Sequence, residues 1–265
     1  RIGEERFRRE HECEFLIFDE TLISSLTLAD MEGTTPVETT GQVRWYKRPT
    51  PGHTYMVSLD PSMGTGGDFA AIQVFELPTF EQIGEWHHNQ TPMNQQVRIL
   101  QGINKHIHDT IMEKDATASP QIFYSMENNT IGEAALMRVM DIGEENIMGM
   151  FLSEPIRKGH RRKFRRGFNT TAKFKIDACT KFKELVESDK MKINSQLLIS
   201  ELKDFVASGL SFKAKPGQHD DLVSACLLMT RMMKVLADFD PKIFEKWTDR
   251  TSEITPMPIF GSFSG

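Results

Sequence analysis

A mostly apolar run that ends in an acid, TYMVSLD at residues 54–60, decides how this chain folds. Its length and its continuous apolar character predict a buried strand, and Asp60 closes that strand. A second run of this kind, QIFYSM at residues 121–126, ends just before Glu127. If the two strands lie side by side and parallel, both acids reach the same end of one sheet.

Further elements surround these two runs. Strands are also predicted at residues 69–75 and 82–87, and the short turns between them indicate an antiparallel meander that begins with residues 54–59. Apolar residues at helical spacing, together with N-cap residues, predict these helices: 93–113, 130–140, 171–185, 195–205 and a last one that opens at Asp220-Asp221.

The composition is that of an ordinary globular protein. Of the 265 residues, 39% are hydrophobic and 26% are charged, which excludes collagen-like, mucin-like and wholly disordered classes. No apolar run reaches about 18 residues, so we expect no membrane span. The first residues include neither an initiator Met nor an apolar signal core, so we expect the chain to be part of a longer polypeptide. Three separated cysteines, Cys13, Cys179 and Cys226, are typical of a reduced, cytosolic protein.

The charge is unevenly distributed. The formal net charge is -5, yet no Asp or Glu lies between Pro155 and Ile176. That segment carries nine basic residues: Arg157, Lys158, Arg161, Arg162, Lys163, Arg165, Arg166, Lys173 and Lys175. A dense basic segment in an acidic protein predicts an anionic partner, and its charges suit the phosphates of DNA better than base edges. The alternative is a solvated loop.

A third acid belongs with Asp60 and Glu127, because a helix that opens over the same end of the sheet would bring Asp221 to them. Carboxylates held together repel one another, and a divalent cation relieves that repulsion. Mg²⁺ and Mn²⁺ prefer such hard oxygen ligands, and two ions about 3.5–4 Å apart can support phosphodiester hydrolysis. The alternatives stay open: Asp60 as a turn residue, Glu127 as a solvated loop residue, and Asp220 or Asp221 as helix caps.

Four motifs carry a family resemblance. They are Asp60 with Gly64, Gly66 and Asp68, then YSMENNTIG at 124–132, GFNTT at 167–171, and GQHDDLV at 217–223. In this order they resemble the nuclease part of the large terminase of T4-like tailed phages, over roughly residues 50–240. Residues 3–15 resemble the segment where the N-terminal packaging ATPase of that family ends.

The resemblance implies a fold and an organisation. The fold would be α/β, RNase H/integrase-like, with a central mixed β-sheet flanked by helices. Residues 1–50 would be a linker at the end of the ATPase side, 51–240 the nuclease domain, and 241–265 a flexible tail rich in Ser, Gly and Pro. No ATPase activity is expected, in line with the lack of a Gly-x-x-x-x-Gly-Lys-Ser/Thr motif in this chain.

The resemblance also implies a function. Such a domain would be a metal-dependent endonuclease that cuts concatemeric double-stranded DNA at the initiation and termination of packaging, with Mg²⁺ or Mn²⁺, in one or two ions, as cofactor. Its partners would be DNA, the portal protein, the small terminase subunit and the ATPase domain of the same polypeptide, in the host cytoplasm at the capsid portal.

The family's catalytic and metal-binding acids map onto Asp60, Glu127 and Asp221, with Asp221 favoured over Asp220. Asp68, His219 and Asp220 are candidates for supporting roles around the metal; turn capping is the alternative for Asp68 and a structural role for His219. Many relatives carry another acid three residues after the third position, where this chain has Ser224. This departure predicts a weaker hold on a second ion.

Two other functions remain possible from the sequence. One is a junction-resolving or transposase-like nuclease on the same fold, which would prefer branched DNA. The other is a non-catalytic DNA-clamp or portal-docking module, which would bind DNA in a salt-dependent way without cutting it.

Overall fold

The computed structural model describes residues 20–155 and 166–239. Three predicted features therefore lie outside the described residues: the segment 3–15 that resembles the end of the ATPase, the tail 241–265, and the part of the basic segment from Arg157 to Arg165. Among the described helices, none is both long and apolar enough to span a membrane.

The strands are β1 (Glu38–Thr40), β2 (Val43–Trp45), β3 (Thr54–Asp60), β4 (Ala70–Leu77), β5 (Glu81–His88), β6 (Gln121–Met126), β7 (Met150–Phe151), β8 (Phe205–Ser208) and β9 (Ser211–Ala214). The α-helices are α1 (Ser25–Asp30), α2 (Met93–Lys114), α3 (Thr130–Ile142), α4 (Ala172–Glu187), α5 (Gln196–Asp204) and α6 (Asp221–Phe239). A short 3₁₀ helix, Glu144–Asn146, follows α3.

Seven strands form one mixed sheet in the order β1-β2-β5-β4-β3-β6-β7, and β8 pairs with β9 in a separate hairpin. The meander β3-β4-β5 is antiparallel, as predicted. β6 runs parallel to β3, with Leu59 opposite Met126, and β7 runs parallel to β6. The parallel β3–β6 pair is the arrangement that brings both strand ends to one edge of the sheet.

Helices cover both faces of the sheet. On one face α2 and α3 pack against Tyr55, Val57 and Leu59 of β3. On the other face α4, α5 and α6 pack against a second cluster that includes Met56 and Phe123. Successive side chains of a strand point to opposite faces, so burial on both sides explains why β3 is apolar almost throughout. The predicted α/β architecture, a central mixed sheet flanked by helices, is confirmed.

The chain before residue 51 contributes to this sheet. β1 and β2 form a hairpin that pairs with β5, and Val43 and Trp45 are buried. Gly84 of β5 makes room for this contact, because a Cβ there would lie 2.9 Å from the Trp45 ring. This part of the expected linker therefore packs as part of the domain, while the three-segment division itself stays a prediction.

Candidate nuclease site

The pleat of the sheet places Asp60 and Glu127 on one face. On β3, Met56, Ser58 and Asp60 alternate toward α6, and the Ser58 hydroxyl donates to the Ala225 carbonyl of α6 at 2.8 Å. Glu127 follows β6, and its backbone N–H donates to the Leu59 carbonyl at 3.1 Å. The two carboxyl groups meet in a hydrogen bond, as the parallel pairing of their strands predicted.

Local packing holds Glu127 in place. Its carboxylate accepts a hydrogen bond from Asn129 Nδ2 at 3.1 Å, and the Asn129 Oδ1 caps α3 by accepting from Gly132 N–H. Only glycine fits at position 132, because a Cβ would lie 1.8 Å from the Glu127 carbonyl oxygen. The ENNTIG motif therefore joins the acid directly to the start of a helix.

Asp221 begins α6, as predicted, and its side chain is only 15% exposed. Burial raises the pKa of Asp221 to about 6, a hydrogen bond from the Phe69 backbone N–H lowers it, and neighbouring Asp220 raises it. His219 lowers the pKa of Asp221 through its charge, and its Nδ1 lies 3.6 Å from the Asp221 carboxylate.

The three acids interact electrostatically. The pKa of Asp60 is raised well above its ordinary value. Burial is the largest cause, and the contact with Glu127 and the charges of Asp221 and Asp220 raise it further. Within residues 20–155 and 166–239, no three His, Cys, Asp or Glu side chains are already arranged around one point as metal ligands. Asp60 and Glu127 thus form a contacting pair, and Asp221 lies close enough to disfavour the charge on Asp60.

The three residues predicted to support the metal site, Asp220, Asp68 and His219, differ in their surroundings. The carboxylate of Asp220 accepts from the Ala214 N–H at 3.3 Å and lies 3.8 Å from Lys175 Nζ, so it connects α6 to the β9 strand and α4. Asp68 is exposed, and its charge raises the pKa of Asp221. His219 stacks edge-on against Phe69, with ring centroids 4.9 Å apart. The supporting roles of these residues stay predictions.

A cleft of about 180 Å³ opens beside the acid pair. Asp60 and Glu127 line it together with Thr170, Lys175, Ser224 and Arg231. Acids and cations therefore face the same space, which is the arrangement expected for a ligand that carries phosphates and binds a metal ion.

Arg231 of α6 is the central cation of that cleft, although its side chain is only 11% exposed. It donates to Thr170 Oγ1 at 3.1 Å and to the Asn169 carbonyl at 3.0 Å, and it pairs with Glu154. Its guanidinium also lies over the ring of Phe168, 5.2 Å from the centroid.

The described ends of the basic segment lie next to Glu127. The Glu154 N–H donates to the Gly167 carbonyl, and Phe168, in a parallel bridge to Glu127, accepts from the Asn128 N–H at 2.7 Å. Phe168 is buried in the core, so it anchors the C-terminal end of this segment. Arg166 pairs with Glu144, Lys173 is exposed, and Lys175 lines the cleft.

The sequence analysis missed Arg231, Glu201 and His87. Arg231 interrupts an apolar helix stripe, which was an available signal. Glu201 and His87 have no local signal, because their surroundings come from distant segments: Glu201 Oε1 lies 3.7 Å from His87 Nε2. His87 is not a surface residue, since its side chain is only 12% exposed and stacks on Phe69.

The fold and the paired acids define an RNase H-like nuclease class. The chain belongs to the family described as the terminase RNaseH-like domain, whose model matches residues 57–232. The predicted identity as the nuclease domain of a DNA-packaging terminase is confirmed at this level, while the narrower assignment to T4-like phages stays a prediction.

Solved structures show the same fold. The large terminase nuclease of thermophilic phage G20c with bound magnesium has a TM-score of 0.57 at 17% identity, over 80% of this chain and 97% of that one. The nuclease domain of the Thermus phage P74-26 large terminase has 0.56 at 17% identity, over 79% and 93%. The manganese-soaked, inhibitor-bound human cytomegalovirus terminase nuclease domain has 0.50 at 14% identity, over 85% and 98%.

Proposed function

We propose that this chain is a metal-dependent endodeoxyribonuclease that hydrolyses phosphodiester bonds in concatemeric double-stranded DNA at the initiation and termination of genome packaging. One observation carries the proposal. Asp60 and Glu127, two carboxyl groups in contact, line a cleft that Lys175 and Arg231 also line.

The donor set fits a hard divalent cation. The pKa of Asp60 is raised by burial and by Glu127, Asp221 and Asp220, so the folded chain concentrates negative charge that a cation would neutralise. Mg²⁺ is commonly held by one or two carboxylates plus water, which agrees with a contacting pair rather than a complete protein cage. Asp60 and Glu127 would hold the ion, with Asp221 as the third ligand, and Mn²⁺ would substitute.

A bound ion of this kind supplies Lewis-acid polarisation of the phosphate and lowers the pKa of a water molecule. The chain's own residues do the rest. Lys175 and Arg231 bring positive charge to the phosphate that enters the cleft, and Thr170 offers a hydroxyl beside them. Asn129 and the Phe69 N–H orient the carboxylates of Glu127 and Asp221 through hydrogen bonds. His219 and Asp220 are proposed to support Asp221, and Asp68 to act from the turn after β3.

The basic segment is the proposed DNA contact. The described residues on either side of this segment, Glu154 and Gly167, are hydrogen-bonded to each other, and the next residue, Phe168, bridges to Glu127. The basic residues between them in the sequence are Arg157, Lys158, Arg161, Arg162, Lys163 and Arg165. Arg166, Lys173 and Lys175 continue the basic character along the flanks of this segment. Contacts of this type bind the backbone of the duplex with little sequence preference.

The proposed setting is the viral packaging motor. Its partners would be double-stranded DNA, the portal protein, the small terminase subunit and the ATPase domain of the same polypeptide. The proposed location is the host cytoplasm at the capsid portal. The proposed organisation keeps residues 51–240 as the nuclease domain, with the β1-β2 hairpin of the preceding segment joined to its sheet and a C-terminal tail after it.

Plasmid cleavage tests the proposal. The chain is incubated with supercoiled DNA in Mg²⁺, in Mn²⁺ and in EDTA, beside the variants Asp60→Ala, Glu127→Ala and Asp221→Ala. We expect nicked and linear products only with a divalent ion, and their loss in each variant. Asp141→Ala is the matched control, because Asp141 is an exposed acid on α3 whose side chain is 61% accessible.

The same assay separates the other functions. Faster cutting of four-way junctions than of linear duplex would support a junction-resolving nuclease instead. DNA binding that weakens with salt, with no cleavage in any divalent ion, would support a non-catalytic clamp and contradict the proposal.

A further inference from the structure

The start of α6 lacks a cap from its own sequence. The first backbone N–H groups of a helix have no partner within the helix, and an Asp at the preceding position usually accepts from one of them. Asp220 stands at that position, but its carboxylate turns to the Ala214 N–H and to Lys175. The N–H groups beside Asp221 therefore need another acceptor.

Glu201, in the middle of α5, supplies that acceptor. Its Oε2 accepts from the Val223 N–H at 3.1 Å, and the Leu222 N–H also bonds to this side chain. The Glu201 side chain is only 10% exposed, and its other oxygen lies 3.7 Å from His87 of β5. The end of α6 that carries Asp221 is thus held by a side chain twenty residues earlier in the chain.

We propose that Glu201 is a positioning residue for the nuclease reaction, which fixes the backbone at the start of α6 so that Asp221 faces Asp60. The inference rests on the proposed function. The Phe69 N–H holds the carboxylate of Asp221, and Glu201 holds the backbone one and two residues after it. Together the two contacts would set both the place and the direction of this acid.

Apolar packing does not account for an acid at position 201. Burial of a carboxyl group among other acids is costly, and an apolar side chain of similar size is often neutral or stabilising at such a site. The neighbours of Glu201 on α5, Leu198, Ile199 and Leu202, are fully buried and apolar. An acid retained in this packing therefore indicates a requirement for its oxygen atoms.

Two variants of similar size distinguish the role of Glu201 as a hydrogen-bond acceptor from its role in filling space. Glu201→Gln keeps an oxygen that can accept from the α6 N–H groups, and Glu201→Met removes it while it fills the same space. Cleavage rate, the Mn²⁺ concentration that gives the half-maximal rate, and thermal melting are measured for the parent chain and both variants. Glu184→Gln is the control, because Glu184 is exposed on α4.

We expect Glu201→Met, at temperatures where thermal melting shows it fully folded, to cleave about 10–100-fold more slowly than the parent and to need more Mn²⁺, as for residues that orient metal ligands. Glu201→Gln should cleave close to the parent rate. If Glu201→Met cleaves as the parent does, or Glu201→Gln is as slow as Glu201→Met, the inference is wrong.

Should Glu201→Met fail to fold, Glu201→Gln decides alone: retained cleavage supports the acceptor role, and lost cleavage overturns it. A parent chain that cuts no DNA would overturn the proposed function and this inference with it. An active parent with an equally active Glu201→Met would overturn only the inference.

Discussion

The acids at the two ends of the central sheet have opposite electrostatic surroundings. At the far end, Glu76 is fully buried and pairs with Lys47 and with His53 at 3.1 Å. Glu81 accepts from Lys192 at 2.7 Å and from Lys47 at 3.2 Å, and hydrogen bonds from these cations lower its pKa against the effect of burial. The negative charges of these acids are therefore balanced by basic side chains of the same chain.

At the site end, acids face other acids. Within the described parts of the chain, no Lys or Arg forms an ion pair with Asp60 or Glu127. The pKa of Asp60 is raised well above its ordinary value and that of Asp221 to about 6. The difference supports the proposal that the acids at the site end bind an external cation, whereas those at the far end are neutralised within the fold.

The largest effect is expected at the site end. Asp60→Asn should lower the cleavage rate at least about 100-fold, as expected for loss of a group that acts in the transition state. The same change should raise the melting temperature of the metal-free chain, because it removes repulsion among carboxyl groups. A slower variant that is also less stable without metal would contradict the contrast between the two ends.

At the far end of the sheet, a substitution should lower stability and leave the cleavage rate unchanged. Glu76→Gln leaves Lys47 and His53 without their buried partner and should destabilise the chain by about 1–3 kcal/mol, measured by urea unfolding. Cleavage by the folded fraction should not change. Reduced cleavage without reduced stability would mean that the far end belongs to the site.

A substitution at Arg231 tests whether the cleft binds a DNA phosphate. Arg231→Ala should weaken DNA binding by about 10-fold and reduce the slope of log affinity against log salt by about 1, because one phosphate contact is lost. Arg138→Ala is the control, since Arg138 is exposed on α3. An unchanged salt slope in Arg231→Ala, with normal folding, would assign Arg231 to packing alone.

The smallest effect concerns pH. Burial raises the pKa of Glu201 to about 9, above its ordinary value of 4.5. Between pH 7 and 8 the folded chain therefore keeps a proton that the unfolded chain has lost, so the free energy of unfolding should fall as pH rises, by about 1 kcal/mol. Urea unfolding in EDTA measures this change. Glu201→Gln should flatten the dependence, and an equally steep slope in that variant would assign the effect to other groups.

Much of the site was predictable from the sequence because it depends on strand ends. The apolar runs of β3 and β6 each stop at an acid, and the pleat then fixes which face Asp60 and Glu127 share. The start of α6 at Asp221 followed from the apolar stripe after Asp220-Asp221.

The rest depends on contacts between distant segments. The pairing of β2 with β5 joins a three-residue strand to an eight-residue strand about forty residues later in the chain, and no local pattern marks it. Glu201 meets Val223 and His87 only after α5, α6 and β5 have packed, and Arg231 finds its partners on the segment after β7. Periodicity identifies elements, but it does not assign a charged side chain to its neighbours across the fold.

The most direct test of the central claim is a crystal of the chain soaked in Mn²⁺, with anomalous scattering used to locate the ion. We predict a peak bound by Asp60 and Glu127, with Asp221 within ligand distance, and its loss in crystals of Asp60→Asn. A fully occupied peak elsewhere, with no Mn²⁺ at these carboxylates, would contradict the account.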